Sequence, residues 1–267
     1  MKRMPAVAGQ FYYDTGPRLT QQVEQFIDRN APKEDVVGVV SPHAGLVYSG
    51  AVAGAVYSTI RFPKTFLLLG PNHTGLGQNI SLMDEGEWEI PTGTFTIDRK
   101  LAAKIAISTD RVSRDSQAHI FEHCLEVQLP FIACFSKDVK IVPIVFLSAS
   151  LEDCRETAAV IAKAVNEVDY PVVIVASSDM SHYLPDKIAR QRDRKAIDRM
   201  LELDPEGLYE TVKKENISMC GFIPATVMLF ASKLLGAGSA RLVKYATSAE
   251  VSGDCDSVVG YAGVIVR

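Results

Sequence analysis

Val37-Gly38-Val39-Val40-Ser41-Pro42-His43-Ala44-Gly45 joins a short β-branched run to a Pro/Gly-framed turn that carries a histidine, and an apolar run leading into a histidine-bearing loop recurs twice further along. Thr65 to Leu69 runs into Gly70-Pro71-Asn72-His73-Thr74-Gly75, and Pro171 to Ala176 runs into Ser177-Ser178-Asp179-Met180-Ser181-His182. Continuous apolar runs of this length, bounded by turn residues, read as strands buried on both faces. Lys140–Phe146, Arg241–Ala246 and Val258–Val266 have the same character. Between the runs, apolar residues recur at helical spacing: Leu19, Val23, Phe26 and Ile27; Leu101, Ile105 and Ile107; Val160, Ile161, Ala164 and Val165; Ile197, Met200 and Leu201. Alternating strand and helix predict an α/β fold with a mainly parallel central sheet flanked by helices, to which the terminal strands add an antiparallel edge. Asn79 to Thr96 breaks the alternation. Its short runs, separated by Gly86 and Pro91-Thr92-Gly93 and holding the only Trp, at 88, predict a β-hairpin insertion that flanks the site and narrows it for substrate. No repeat or linker marks a boundary, so residues 1–267 read as one domain.

Composition narrows the function. Apolar residues make up 47% and charged residues 22% of the chain, a globular balance that excludes disorder. A formal charge of −4 without a basic block offers no footprint for nucleic acid. The five cysteines are odd in number, and 124, 134 and 154 fall in segments read as helical, which argues for a reducing compartment. Gln10 and Asp14 interrupt any export signal, and the longest apolar run, Gly221 to Ala231, falls short of the roughly 18 to 20 residues that span a bilayer. The expectation is a cytoplasmic protein without a membrane segment.

In parallel sheets ligands bind outside the carboxyl ends of the strands, and three of the five histidines, His43, His73 and His182, follow three different strands. Pro and Gly around the first two set the turns and let backbone approach a ligand. Taken singly, each reads equally well as an ordinary loop histidine. Cys220 precedes a helix expected from Pro224 to Leu235, where the positive end of the helix dipole favours a thiolate; its bland alternative is a small buried hydrophobe. Cys255, in the polar loop Ser252 to Ser257, is an equal rival for the same pocket. On a helix, His119, His123 and Glu126 would share one face, as a rudimentary metal-binding helix or a solvated polar face; His123 and Glu126 are candidate pocket residues backing the ligands. Asp179 and His182 form a candidate acid/base pair in which the carboxylate orients the imidazole. No G-x-S-x-G elbow and no glycine-rich phosphate loop is present, which sets aside serine hydrolases and nucleotide enzymes.

Pro5-Ala6-Val7-Ala8-Gly9-Gln10-Phe11-Tyr12, Ser41 to Gly45, Gly70-Pro71-Asn72-His73, Glu122-His123-Cys124-Leu125-Glu126-Val127-Gln128-Leu129-Pro130-Phe131, Ser177 to His182 and Met219-Cys220-Gly221 form an ordered set that covers nearly the whole chain. It resembles the Memo family, whose prokaryotic members are called AmmeMemoRadiSam system protein B. The resemblance implies a fold like that of class III extradiol dioxygenases and metal ligands at His43, His73 and Cys220, which favours Cys220 over Cys255. It implies Asp179 and His182 beside the ligands, with His182 where those dioxygenases carry an acid/base histidine. A thiolate replaces their carboxylate ligand, so copper or zinc joins iron(II) as the metal. The expected function is dioxygenase-like redox chemistry on an unidentified small molecule. A peptide-binding module and a zinc hydrolase are the rivals. Association with an AMMECR-type protein and a radical SAM enzyme is implied by the family name alone.

Overall fold

The computed structural model describes residues 1–267. In chain order its elements begin with β1 (Lys2–Arg3), α1 (Gly16–Glu24), β2 (Gly38–Ser41), α2 (Leu46–Thr59), β3 (Thr65–Pro71), β4 (Ile80–Leu82), β5 (Glu87–Ile90) and β6 (Gly93–Thr96). There follow α3 (Arg99–Ile107), β7 (Ser113–Arg114), α4 (Leu129–Phe135), β8 (Lys140–Phe146), α5 (Leu151–Asn166), β9 (Val172–Ser177) and β10 (His182–Leu184). The last third holds α6 (Asp186–Leu201), α7 (Pro205–Lys214), α8 (Phe222–Leu234), β11 (Ala240–Thr247), α9 (Ala249–Ser252) and β12 (Val258–Val266).

The fold is α/β, and the run of parallel strands lies at the centre of the main sheet. β2, β9, β3 and β8 lie side by side in parallel. On one flank β12 runs antiparallel to β2 and pairs also with β11 and β10; on the other, β4 runs antiparallel to β8. The sheet is therefore mixed: its four central strands are parallel, as is the short edge pair β4–β7, while β12 and β4 join the central strands antiparallel. The physical reason is loop length: β11 and β12 are joined by a short polar loop around α9, too short for the crossover that a parallel pair requires.

The crossover through α2 runs from β2 towards β3, whereas the one through α5 runs back from β8 to β9, so right-handed connections place them on opposite faces. α8 lies over the parallel strands beside α5 and α7. The chain shares one main hydrophobic core, running from Val7 to Val266. α2 has no apolar periodicity because it is buried between the sheet, α1 and α4; the glycines in its sequence serve close approach. A Cβ on Gly50 or Gly54 would sit 2.4 or 2.3 Å from Phe26 atoms. No helix is long and apolar enough to cross a membrane.

What positions the site is the insertion of β9 between β2 and β3. Val40 is in register with Ala176, and Ala176 with Leu69, so three strands end at one level and their following loops meet.

The hairpin is present as β5–β6, but β4 belongs to the main sheet, and β1 pairs with β5. Trp88 is wholly buried, beneath the Arg3 guanidinium at 4.2 Å, and so cannot narrow a substrate pocket. The expected helix at His119 to Glu126 is also absent: 3₁₀ turns at Gln117–His119 and Glu126–Gln128 bracket a non-helical turn. Arg3 is the cause. Its Nε donates to the carbonyl of His119 at 2.8 Å and its Nη2 to that of Glu122 at 2.6 Å, taking acceptors that a helix would use. His119 and His123 consequently point apart, and Cys124 lies in the turn.

Candidate metal centre

His43 forms the floor. It is 2% exposed, and its Nδ1 lies 2.9 Å from Ser177 Oγ. The serine hydroxyl donates its single proton to the Cys124 carbonyl at 2.7 Å and accepts from Gln128 Nε2 at 2.8 Å. The serine therefore accepts from His43, whose Nδ1 carries the proton and whose Nε2 keeps a bare lone pair. Burial first, and then the imidazoles of His123, His73 and His182, hold the His43 pKa well below its usual value, so the ring is neutral. Gln128 is itself placed by Pro42 O and by the Tyr57 hydroxyl.

His73 sits at the rim, its side chain 35% exposed. Glu122, wholly buried, accepts from the His73 backbone N–H and, at 2.9 Å, from its Nδ1. Burial alone would raise the Glu122 pKa, but these bonds and the Cys124 amide at 3.0 Å hold it at about 2. An ionised carboxylate on Nδ1 again leaves Nε2 free, the pattern by which outer carboxylates orient metal-binding histidines. The His43 and His73 ring centres are 5.3 Å apart.

Cys220 stands just before the N-cap Gly221 of α8, with Sγ 3.3 Å from His43 Nε2 and 3.3 Å from the Asp179 amide. Gly221 is required here, since a Cβ would meet Ser177 O at 2.3 Å. The dipole does not lower the thiol as the sequence suggests: burial, and then the Asp179 carboxylate, push its pKa up, and the protonated thiol faces the bare Nε2. Cys255 is exposed and its Sγ approaches only Gly253 O, at 4.0 Å.

Asp179 does not orient His182. Its Oδ1 accepts from the amides of His43 at 2.8 Å and Ala44 at 3.3 Å, and burial raises its carboxyl to about 6. His182 is instead held by Ser218, whose Oγ accepts from the His182 amide at 2.7 Å and whose carbonyl lies 2.9 Å from Nδ1. Nδ1 must donate to that carbonyl, which leaves Nε2 without a protein partner.

His123 joins the cluster, with ring centres 5.5 Å from His43 and 4.7 Å from His73, and the donor atoms of the three histidines all fall within 4.8 Å of one another. Glu126 does not join it. Its carboxylate binds Arg3 and the Tyr12 hydroxyl and accepts from the amides of Ala6 at 2.7 Å and Val7 at 3.1 Å, fastening the N-terminal strap. Reading the sequence alone missed Glu122, Ser177, Gln128 and Ser218 as supports. Glu122 and Gln128 were visible within the 122–131 stretch, but only the folded turn shows which way they face. A cavity of about 590 Å³ lies elsewhere, lined by polar and charged residues of α6, α7 and the turns beside them.

Fold and site together define an α/β protein with a cluster of three histidines, His43, His73 and His123, that could hold a metal ion at the carboxyl ends of parallel strands. The chain belongs to the Memo family: the family model described as Memo-like protein matches residues 3–265. It is similar to a MEMO1 family protein of Methanosarcina barkeri, 42% identical over 267 residues, covering 99% of this chain and 100% of the relative. A MEMO1 family protein of Methanothermobacter thermautotrophicus is 38% identical, covering 98% and 99%. One from Pyrobaculum aerophilum is 41% identical, covering 98% of each chain.

Proposed function

We propose that this chain binds a transition metal through His43, His73 and Cys220 and works as a metal-dependent redox protein, dioxygenase-like in chemistry, on a small molecule. The observation that carries the reading is the state of two imidazoles from different strand ends. Each has its Nδ1 engaged, by Ser177 and Glu122, so that a bare Nε2 remains as a donor. With the Cys220 sulfur 3.3 Å from one of them, the donor set is two borderline nitrogens and a soft sulfur, which fits iron(II), copper or zinc.

When bound, iron or copper would supply Lewis acidity and one-electron chemistry. The chain's own residues supply the rest. Ser177 and Glu122 keep the two rings in one tautomer and one orientation. Asp179 fixes the His43 turn through its two amides, and Ser218 holds His182 with Nε2 available to move a proton. The same donors suit a zinc hydrolase, so the identity of the metal discriminates between the two chemistries.

The test is to purify the protein without oxygen or added metal, quantify iron, copper and zinc, and repeat with His43→Ala and Cys220→Ala. Near-stoichiometric metal that is lost in both variants supports the reading, and its identity separates redox chemistry from hydrolysis. Protein that is metal-free and cannot be loaded with any of the three refutes it, leaving a cleft that binds a peptide or partner.

A further inference from the structure

His123 lies in the cluster without a role in the ligand set above. The non-helical turn created by Arg3 rotates it away from His119 and towards the strand ends. Its ring is fixed from both sides. The edge of Phe11 meets it at 4.9 Å between centres, and its Nδ1 lies 3.3 Å from Glu122 Oε1, the same oxygen that receives the His73 Nδ1 proton. One buried carboxylate thus faces the Nδ1 side of two neighbouring imidazoles, leaving the opposite nitrogen of both for something else.

The spacing of the rings says what that is. With a metal–nitrogen bond of about 2.1 Å and roughly 1.1 Å more to the ring centre, imidazoles sharing one ion at about 95–120° have centres roughly 4.7–5.5 Å apart. The three separations here are 4.7, 5.3 and 5.5 Å. Three rings that merely filled a core would have no reason to keep all their donor atoms within 4.8 Å of one another, since three lone pairs gathered without a proton or a cation repel.

We infer that His123 is a metal ligand, so that the centre is a three-imidazole face of His43, His73 and His123 with the Cys220 sulfur as a fourth donor. The inference rests on the proposed metal site and extends its ligand set. Four protein donors make a more closed centre than three, leaving fewer positions for an exogenous ligand.

The test uses the full chain and zinc(II) alone. Metal-free protein carrying ¹⁵N-histidine is titrated with zinc chloride, and the ring nitrogens of the five histidines are followed by long-range ¹H–¹⁵N spectra. The expected result is that His43, His73 and His123 each show a metal-bound ring nitrogen at one equivalent, while His119 does not. If His43 and His73 respond and His123 does not, this inference fails and the three-ligand reading survives. If none responds and no zinc is retained, both fail. Cobalt(II) binding to His123→Gln provides an independent measurement. Affinity should fall at least about tenfold, with altered visible ligand-field bands, while the far-ultraviolet circular dichroism is kept. Unchanged affinity and bands in a folded variant would overturn the assignment.

Discussion

Glu122 holds His73 at two points, accepting from its backbone N–H and, at 2.9 Å, from its ring Nδ1. The carboxylate is wholly buried and ionised, so it sets the ring's tautomer and direction. Replacing it by the isosteric amide keeps the shape and removes the charge. Glu122→Gln should weaken metal binding by about 10- to 100-fold, measured by competition against a chromophoric chelator. Equal affinity in the variant would mean that the carboxylate only fills space.

Glu126 lies four residues further on and does unrelated work. Its ion pair with Arg3 is shut off from water, with side-chain exposures of 0% and 1%, and it also collects two strap amides and the Tyr12 hydroxyl. Removing one partner strands a buried charge, which costs about 3–5 kcal/mol. Glu126→Ala should therefore lower the denaturant midpoint by that equivalent and speed hydrogen exchange at residues 5–12. Arg3→Met combined with Glu126→Leu should recover part of the loss. An exchange pattern identical to the parent would show that the strap is held by other contacts.

The strands were legible because burial on both faces leaves unbroken apolar runs: Lys140–Phe146 and Val258–Val266 are read at their observed ends. α2 was not legible, because a helix buried over most of its surface, with apolar residues even at its exposed start, has no polar face to mark its period. The candidate ligands were legible for a topological reason, since strand ends in a parallel sheet are where ligands bind. Their mutual distance depends on β9 lying between β2 and β3, and nothing local encodes strand order. The 119–126 turn was misread because its conformation is imposed by Arg3, more than a hundred residues earlier in the chain.

Trp88 carries the same lesson in its energetics. It is 0% exposed, stacked beneath Arg3, and its Nε1 reaches Met83 Sδ at 3.3 Å. Trp88→Ala should cost about 3–5 kcal/mol in chemical denaturation while leaving the metal content of the folded protein unchanged. A stable variant with altered ligand binding would restore the hairpin to the mouth of the site.

His119 gives the fold a pH dependence of its own. Its Nε2 lies 3.1 Å from the Ser81 carbonyl and must donate to it, so the bare nitrogen is Nδ1, which is buried without a partner. Protonating that nitrogen would place a charge among apolar groups and near Arg3, and burial is the main reason that its pKa falls to about 4 from 6.5. In the unfolded chain the same histidine titrates near 6.5. Between those values the unfolded state binds more protons, so the contribution of His119 is complete above about pH 6.5 and is lost as the pH falls towards 4. A depression of this size corresponds to about 3 kcal/mol across the window. His119→Gln retains a donor for Ser81 O and does not titrate. Urea denaturation at several pH values should show the parent losing stability faster than the variant between pH 6.5 and 4, with parallel curves above; equal slopes throughout would show that His119 is protonated in the fold at no cost.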